Sequence, residues 1–217
     1  MDVGTLKAIA QQLRQPEGEQ GIQLAKKMNE GNLYINRFTI DALQLRSNEH
    51  VLEIGMGNGF FVKDILSIDD SLRYAGCDFS PVMVEEARIV NKKFIQSKRA
   101  QFHLAPADEL PFQNEAFDKV FTVNTIYFWE DVGRVFSEIR RVLRPEGRLV
   151  ISLRPKSIMK HYPLARFGFR LFSKEDISQL IKKNSFVIKD VIEKKEPDQE
   201  INGAKVPVET LVLIAGK

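Results

Sequence analysis

The sequence has little cysteine, little net charge and no long apolar run. Its 217 residues contain one cysteine, Cys77, which excludes an internal disulfide and favours a reducing compartment. The 32 basic and 29 acidic residues leave a net charge of +3, which argues against nucleic acid as a partner. No signal peptide is evident at the N-terminus, and no segment approaches the roughly 18 apolar residues of a membrane span. We therefore expect a cytoplasmic protein without stable membrane insertion.

From residue 46 onward, short apolar runs alternate with longer amphipathic stretches. This alternation predicts an α/β fold with a mostly parallel sheet covered by helices on both faces. Seven strands are predicted at 51–54, 72–77, 100–104, 117–123, 148–153, 186–193 and 208–215. Helices are predicted at 59–66, 81–97, 131–143 and 174–183, with Ser80 and Ser173 as N-caps of the second and fourth. Because only a loop joins the last two strands, they predict an antiparallel hairpin at one edge.

Residues 1–45 have a different texture from the rest of the chain. They predict three helices, at 3–15, 19–29 and 33–45, and no strand. The chain therefore divides into an N-terminal helical extension, 1–45, and a main α/β domain, 46–217.

A glycine-rich loop, VLEIGMGNGFF, follows the first predicted strand. Gly55, Gly57 and Gly59 can adopt positive φ and let a ligand lie against the main chain without a Cβ clash. The loop lies at the carboxyl edge of the predicted sheet, where open α/β folds bind ligands. The following helix offers free N–H groups to an electron-rich ligand.

Three ligand classes use such loops. A phosphate-binding loop requires Gly-x-x-x-x-Gly-Lys-Ser/Thr, whereas Phe60 and Phe61 follow the last glycine here. A dinucleotide site requires Gly-x-Gly-x-x-Gly/Ala, and counting from Gly55 the last position is again Phe60, a ring that would crowd the helix. An NAD(P)-dependent oxidoreductase stays open as an alternative. The third pattern is Gly-x-Gly-x-Gly preceded by an acid, here Glu53.

Four segments carry a family resemblance: VLEIGMGNGFF, CDFSPVMVEEA, APADELPFQNEAFDKVF and LRPEGRLVIS. In order and spacing they resemble the class I S-adenosylmethionine-dependent methyltransferases, in particular the small-molecule branch that includes quinone-biosynthesis C-methyltransferases. The resemblance covers roughly residues 48–154, and it departs from the family at Glu146, where glycine is common.

The resemblance implies a Rossmann-like three-layer αβα sandwich with a seven-stranded sheet, and S-adenosylmethionine as the cofactor. It implies transfer of a methyl group to a small-molecule acceptor, with an oxygen or carbon nucleophile favoured and no metal required. It also implies that residues 1–45 are a lid over a S-adenosylmethionine-binding domain. A non-catalytic S-adenosylmethionine-binding module stays open, because a fold does not prove an activity. A monomer or a homodimer is expected.

The resemblance also implies cofactor contacts beyond the glycine loop. Asp78, which ends the second strand, would accept hydrogen bonds from the ribose hydroxyls. Phe79 would offer an apolar face to the adenine, and Asp108 would accept from the adenine amino group. The main chain at Ala107 and Glu109 would reach the edge of the ring.

Two further candidates lie nearer the methionine end. Asn124 ends the fourth strand and is expected beside the methionine part and the acceptor. Glu53 is expected to accept N–H bonds from the glycine loop or to bind the cofactor's ammonium, since an unpaired buried carboxylate is costly. Structural alternatives stay open, because Asp78 could cap the next helix with Ser80 and Asp108 could be a plain turn residue.

The acceptor side is less defined by the sequence. Tyr127, in the segment NTIYFW, could orient or deprotonate the nucleophile, or it could be a core aromatic residue. His161 follows the fifth strand, where the family carries substrate-facing insertions, or it could be a solvated loop residue. The segment 28–38, with Asn29 and Asn32, is expected to touch the ligand, or it is a packing appendage. Basic residues from Arg154 to residue 170 form a cluster whose default interpretation is a solvated face.

Overall fold

The computed structural model describes residues 2–201 and 204–217, and a seven-stranded sheet runs through its centre. The strands are β1 His50–Ile54, β2 Arg73–Asp78, β3 Ala100–Leu104, β4 Phe117–Val123, β5 Leu143–Leu153, β6 Val187–Ile201 and β7 Ala204–Gly216. Their order is β3-β2-β1-β4-β5-β7-β6. Strands β1 to β5 pair in parallel, whereas β7 is antiparallel to both β5 and β6. The predicted fold class, including the C-terminal antiparallel hairpin, is confirmed.

Helices cover both faces of this sheet. Three precede it: α1 Val3–Arg14, α2 Gly18–Gly31 and α3 Leu33–Leu43. The others are α4 Val62–Leu66, α5 Pro81–Val90, α6 Lys92–Gln96, α7 Val132–Val142, α8 Lys156–Met159 and α9 Lys174–Lys183. Short 3₁₀ turns occupy Ile126–Phe128 and Pro163–Arg166. None of the helices within the described residues has the length and apolarity to cross a bilayer.

Successive residues of the central strands pack into two different cores. Leu52 and Ile151 belong to the core under α7 and α9, whereas Val51 and Val150 belong to the core under α3, α4 and α5. Because both faces are covered, these strands are apolar almost without interruption, as buried parallel strands are.

The predicted helix starts after the second and fifth strands are confirmed. Ser80 accepts a hydrogen bond from the Met83 N–H at the start of α5, and Pro81 occupies the first turn. Ser173 and Asp176 form a reciprocal capping box at the start of α9.

The helix predicted at 81–97 is interrupted at Asn91. The Asn91 amide nitrogen donates to the Gly59 carbonyl at 2.9 Å and to the Ala87 carbonyl at 3.0 Å. This side chain therefore binds the end of α5 to the glycine loop. The helix predicted from 59 begins only at Val62, because the chain is still in the loop at Gly59, whose φ is +64°.

The predicted strand limits 186–193 and 208–215 are too short. β6 runs to Ile201 and β7 begins at Ala204, so most of the predicted loop is paired strand. The register shifts between Glu196 and Gln199, around Pro197. A bulge accommodates the missing N–H of a proline, which is why a sequence that reads as a loop can continue a strand.

The N-terminal helices are bound to the main domain at several points. Ile35 and Leu43 of α3 are fully buried in the core that contains Val51. At the carboxyl edge of the sheet, Ser80 Oγ donates to the Pro16 carbonyl at 2.6 Å. The segment between α1 and α2 therefore lies directly over the loop that follows β2.

Candidate functional site

A cavity of about 590 Å³ lies at the carboxyl edge of the sheet, beneath α1 and α2. Its lining includes the glycine loop, the loops after β2, β3 and β4, the segment 159–169 and residue 199 of β6. Its volume is in the usual range for a small-molecule site. The cavity therefore collects residues that are distant in sequence at the edge where the sequence predicts a ligand.

The three glycines have positive φ but different surroundings. Gly55, with φ of +74°, lines the cavity, and a Cβ there would overlap the Thr125 methyl. Gly57, with φ of +56°, also lines it and has no atom within 4 Å of an added Cβ. Gly59 lies outside the lining, because it packs against α5, where an added Cβ would be 3.0 Å from Ala87 Cβ. Two glycines thus face the ligand space, and the third allows the helix to approach.

Asp78 holds the glycine loop and also faces the cavity. One carboxylate oxygen accepts from the Gly57 N–H at 3.0 Å and the other from the Ser80 N–H at 2.9 Å. Burial raises its pKa, and these backbone hydrogen bonds oppose the increase. Each oxygen retains capacity for a further donor. Ser80 caps α5 by itself, so Asp78 is not needed as a cap.

Of the four residues predicted to bind adenine, three line the cavity and one does not. Phe79, Ala107 and Asp108 line the cavity, and Phe79 is 38% exposed. Glu109 is not part of the lining. Its N–H donates to the Pro106 carbonyl at 3.3 Å, and its carboxylate lies 3.9 Å from Arg134 on the outer surface.

Glu53 is buried in β1 and lines the cavity. Its carboxylate accepts from the Tyr74 hydroxyl at 2.6 Å, and no loop N–H bonds to it among the described residues. The expected loop contact is therefore replaced by a contact from the neighbouring strand. Burial, and secondarily the charge of Asp78, raise the pKa of Glu53 to about 7, although the Tyr74 hydrogen bond lowers it. A cation placed beside this carboxyl would stabilise its ionised form.

Asn124 lies at the end of β4 and lines the cavity, as predicted. Its φ is +58°, the left-handed region, and its N–H donates to the Ser152 carbonyl at 2.9 Å. Its amide nitrogen donates to Asn32 Oδ1 at 3.2 Å. Asn32 and Asn29 also line the cavity, so the α2–α3 connection takes part in the site.

Tyr127 lines the cavity but is not available as a base. Its hydroxyl accepts from the Arg154 N–H at 2.7 Å, and its proton faces the Arg154 carbonyl at 2.9 Å and Asn124 Oδ1 at 3.1 Å. Burial raises its pKa far above the ordinary value. Its hydroxyl therefore fixes the end of β5, and a role of this tyrosine in orienting the nucleophile stays a prediction.

His161 is exposed and lies outside the cavity lining, just after α8. Its candidate catalytic role stays a prediction. Its neighbours contribute instead: Met159, Tyr162, Leu164 and Phe169 line the cavity.

The sequence does not predict one buried ion pair beside the cavity. Arg154 Nη2 lies 2.9 Å from Glu196 Oε2 and donates to the Gly31 carbonyl at 2.7 Å. Glu196 Oε1 accepts from the Thr210 hydroxyl at 2.5 Å. The pair links β5, the α2–α3 connection and the hairpin around the cavity. No sequence signal points to it, because Arg154 reads as part of a basic cluster and Glu196 as part of a polar loop.

The residues present fit S-adenosylmethionine. Two cavity-facing glycines leave bare main chain for the methionine end, and Asp78 retains acceptor capacity for a diol. Phe79 supplies an apolar surface, and Glu53 supplies a carboxylate partner for an ammonium. The cationic side chains in the described lining, Arg14 and Arg154, are both paired with glutamates, so neither is left over to neutralise a phosphate.

Comparisons with known proteins agree with this fit. Residues 52–151 match a family model described as a methyltransferase domain. The Bacillus subtilis protein named as methyltransferase YrhH is 33% identical over 119 residues, which cover 55% of this chain and 65% of that protein. The ubiquinone/menaquinone biosynthesis C-methyltransferase UbiE of Citrifermentans bemidjiense is 30% identical over 116 residues, which cover 53% of this chain and 49% of that protein. The chain thus spans less than two thirds of the length of either relative.

The fold comparison extends over more of the chain. A S-adenosylmethionine-dependent methyltransferase from Aquifex aeolicus superposes with a TM-score of 0.70 at 15% identity, over 88% of this chain and 95% of that one. At that identity the similarity concerns the fold alone. Residues 52–151 are therefore similar in sequence to methyltransferase domains, and the fold of the chain is similar to that of a S-adenosylmethionine-dependent methyltransferase.

Proposed function

We propose that the protein transfers a methyl group from S-adenosylmethionine to a small, largely apolar acceptor through an oxygen or carbon nucleophile. The observation that carries the proposal is the continuity of the cavity. One part is bounded by Gly57 and Asp78, and the remainder lies between the N-terminal helices and apolar side chains such as Phe128 and Phe169. A donor and an acceptor can therefore share one continuous space.

The residues on the donor side would hold the cofactor by complementary chemistry. Asp78 would accept from the ribose hydroxyls, and Phe79, Ala107 and Asp108 would surround the adenine. Glu53 and the glycine loop would bind the amino-acid end. When bound, S-adenosylmethionine supplies an electrophilic methyl group on a positively charged sulfur, which is already an activated leaving group.

The acceptor side would work mainly by positioning and by excluding water. Apolar side chains that line it come from α1, α2, the 3₁₀ turn after β4 and the segment 159–169: Leu13, Leu24, Met28, Phe128, Met159, Leu164 and Phe169. We propose that residues 1–45 act as a lid on this side and that residues 46–217 form the cofactor-binding domain. The similarity to a C-methyltransferase of quinone biosynthesis supports a small-molecule acceptor.

Two measurements, made one after the other, test the proposal. Titration calorimetry with S-adenosylhomocysteine and with NAD comes first, and we expect saturable binding of the former alone. Formation of S-adenosylhomocysteine from S-adenosylmethionine is then followed with panels of quinols, phenols and fatty acids. Binding of NAD alone would support the oxidoreductase alternative, and cofactor binding without turnover on any panel would favour a non-catalytic module.

A further inference from the structure

Two carboxamides from distant parts of the chain meet in the cavity. Asn124 follows β4 and Asn32 lies between α2 and α3, yet Asn124 Nδ2 donates to Asn32 Oδ1 at 3.2 Å. Asn124 reaches this position in the left-handed conformation, which costs energy for a residue with a Cβ. Its N–H bond to the Ser152 carbonyl fixes that conformation.

The Asn32 side chain is not required by its own helices. It is the residue before α3, but it makes no side-chain capping bond there. Its Nδ2 has no hydrogen-bond partner within the described residues, and the Asn124 amide nitrogen has a second hydrogen to donate. The pair therefore offers unused N–H donors at a cavity wall, and donors of this kind bind oxygen.

The surroundings restrict which oxygen compound fits. The cavity lining includes apolar side chains such as Met28, Phe128 and Phe169, and the Tyr127 hydroxyl beside the pair faces Asn124 Oδ1 at 3.1 Å. The two cationic side chains in the described lining already have partners: Arg154 lies 2.9 Å from Glu196, and Arg14 pairs with Glu130. A diphosphate or another polyanion would find no unpaired cation there, whereas a single carbonyl, enol or phenol oxygen needs none.

We propose that Asn32 and Asn124 form an oxygen-recognition pair, and that the acceptor is a largely apolar small molecule bearing one carbonyl-, enol- or phenol-type oxygen. The N-terminal lid thereby takes part in choosing the substrate, because it contributes one of the two carboxamides. This inference rests on the proposed function, since it names the acceptor class of the same site.

The test uses the full chain saturated with S-adenosylhomocysteine, so that cofactor binding is established before any acceptor probe is added. Three probes share one ring system: 2-naphthol, naphthalene and 2-naphthyl phosphate. Titration calorimetry is expected to show 2-naphthol binding about 3- to 10-fold more tightly than naphthalene, the scale of one or two neutral hydrogen bonds. The phosphate is expected to bind more weakly than 2-naphthol. In ¹⁵N NMR spectra, the side-chain amide signals of Asn32 and Asn124 are expected to shift with 2-naphthol and not with naphthalene.

Matched variants separate recognition from folding. Asn32→Leu is expected to remove the preference for 2-naphthol over naphthalene while S-adenosylhomocysteine affinity stays unchanged. Asn29→Leu is the control, because Asn29 is the same residue type on the same wall and has no bond to Asn124. Equal binding of naphthol and naphthalene, tighter binding of the phosphate, no saturable naphthol binding, or equal effects of the two variants would overturn the inference. Failure to bind S-adenosylhomocysteine at the outset would instead count against the proposed function.

Discussion

Asp78 combines two tasks in one side chain. Its carboxylate fixes the Gly57 and Ser80 N–H groups, and it is also the acid that faces the cavity. We expect Asp78→Ala to weaken S-adenosylhomocysteine binding by about 1–3 kcal/mol, the scale for hydrogen bonds to a charged group. Titration calorimetry measures the change. Asp70→Ala, which alters an exposed carboxylate beside Arg99, is the control. Unchanged affinity in a folded Asp78→Ala protein would contradict the assignment.

Glu53 makes stability depend on pH in an unusual direction for an acid. Its pKa is about 7 in the folded protein against an ordinary value of 4.5, so the folded state binds more protons than the unfolded chain between these values. The free energy of unfolding therefore falls as pH rises from 4.5 to 7, and the full loss is present above pH 7.

We expect Glu53→Gln to match the parent protein at pH 4.5 and to gain on it as pH rises, by up to about 3 kcal/mol at pH 8. Glutamine removes the buried charge and retains an oxygen for the Tyr74 hydroxyl. Urea unfolding at several pH values measures the difference. Glu146→Gln, at an exposed glutamate, is the control, and a pH-independent difference for Glu53→Gln would refute the explanation.

At the residue scale, the sequence predicts which residues line the cavity better than it predicts which side chains they contact. The glycine spacing and the position of Asp78 follow from local rules about strands and loops, and Gly55, Gly57 and Asp78 line the cavity. The partner of Glu53 does not follow from such rules, because Tyr74 lies on the neighbouring strand and meets it only once β1 and β2 pair. The same limit applies to His161, whose distance from the cavity depends on how the chain folds back after β5.

At the scale of elements, the Arg154–Glu196 pair joins parts that share no local sequence. Both side chains are almost fully buried, and the pair connects β5 with β6 and with the Gly31 carbonyl. Replacing such a pair by apolar residues is often nearly neutral, whereas removing one partner leaves an uncompensated charge. The pair is thus better explained as a device that sets the position of the hairpin than as a source of stability.

We expect Glu196→Ala to lower the free energy of unfolding by about 3–5 kcal/mol, because it leaves Arg154 buried without its partner. The double variant Arg154→Met, Glu196→Met is expected to recover more than half of that loss. Urea unfolding of the parent, the single variants Arg154→Met and Glu196→Met and the double variant measures the coupling. Glu193→Ala, which breaks the exposed pair with Lys174, is expected to leave the unfolding midpoint unchanged. A double variant no more stable than Glu196→Ala would exclude this explanation.

The sequence predicts those helices and strands whose limits depend on local patterns. It does not predict limits that depend on pairing with a distant strand. The capping residues Ser80 and Ser173 mark helix starts from sequence alone. The extended hairpin could not be predicted, because the charged residues after 193 and Pro197 read as a loop. Only pairing with β7 turns them into a strand, and that pairing brings Gln199 to the cavity.

At the scale of the whole molecule, the cavity has walls that belong to different parts of the chain. The sheet edge supplies the cofactor side, whereas α1 and α2, the segment 159–169 and the hairpin supply the rest. Among the described residues, three polar contacts join the first two helices and the segment between them to the main domain: the Ser80 bond to the Pro16 carbonyl, the exposed Arg14–Glu130 pair and the Arg154 bond to the Gly31 carbonyl. Because α1 and α2 line the cavity, we expect a ligand beneath them to stabilise their position.

Hydrogen exchange with and without saturating S-adenosylhomocysteine tests this dependence. Segments that open locally exchange quickly, and a ligand that contacts them raises the cost of opening. We expect amides of α1 and α2 to exchange at least several-fold more slowly in the complex, together with those of the glycine loop. Amides of α9, which packs on the sheet and contributes no residue to the cavity lining, are the internal control and are expected to keep their rates. Slower exchange confined to the glycine loop would mean that α1 and α2 are a packed appendage that does not respond to the cofactor. Equally slower exchange in α9 would indicate a global gain in stability instead of closure over the site.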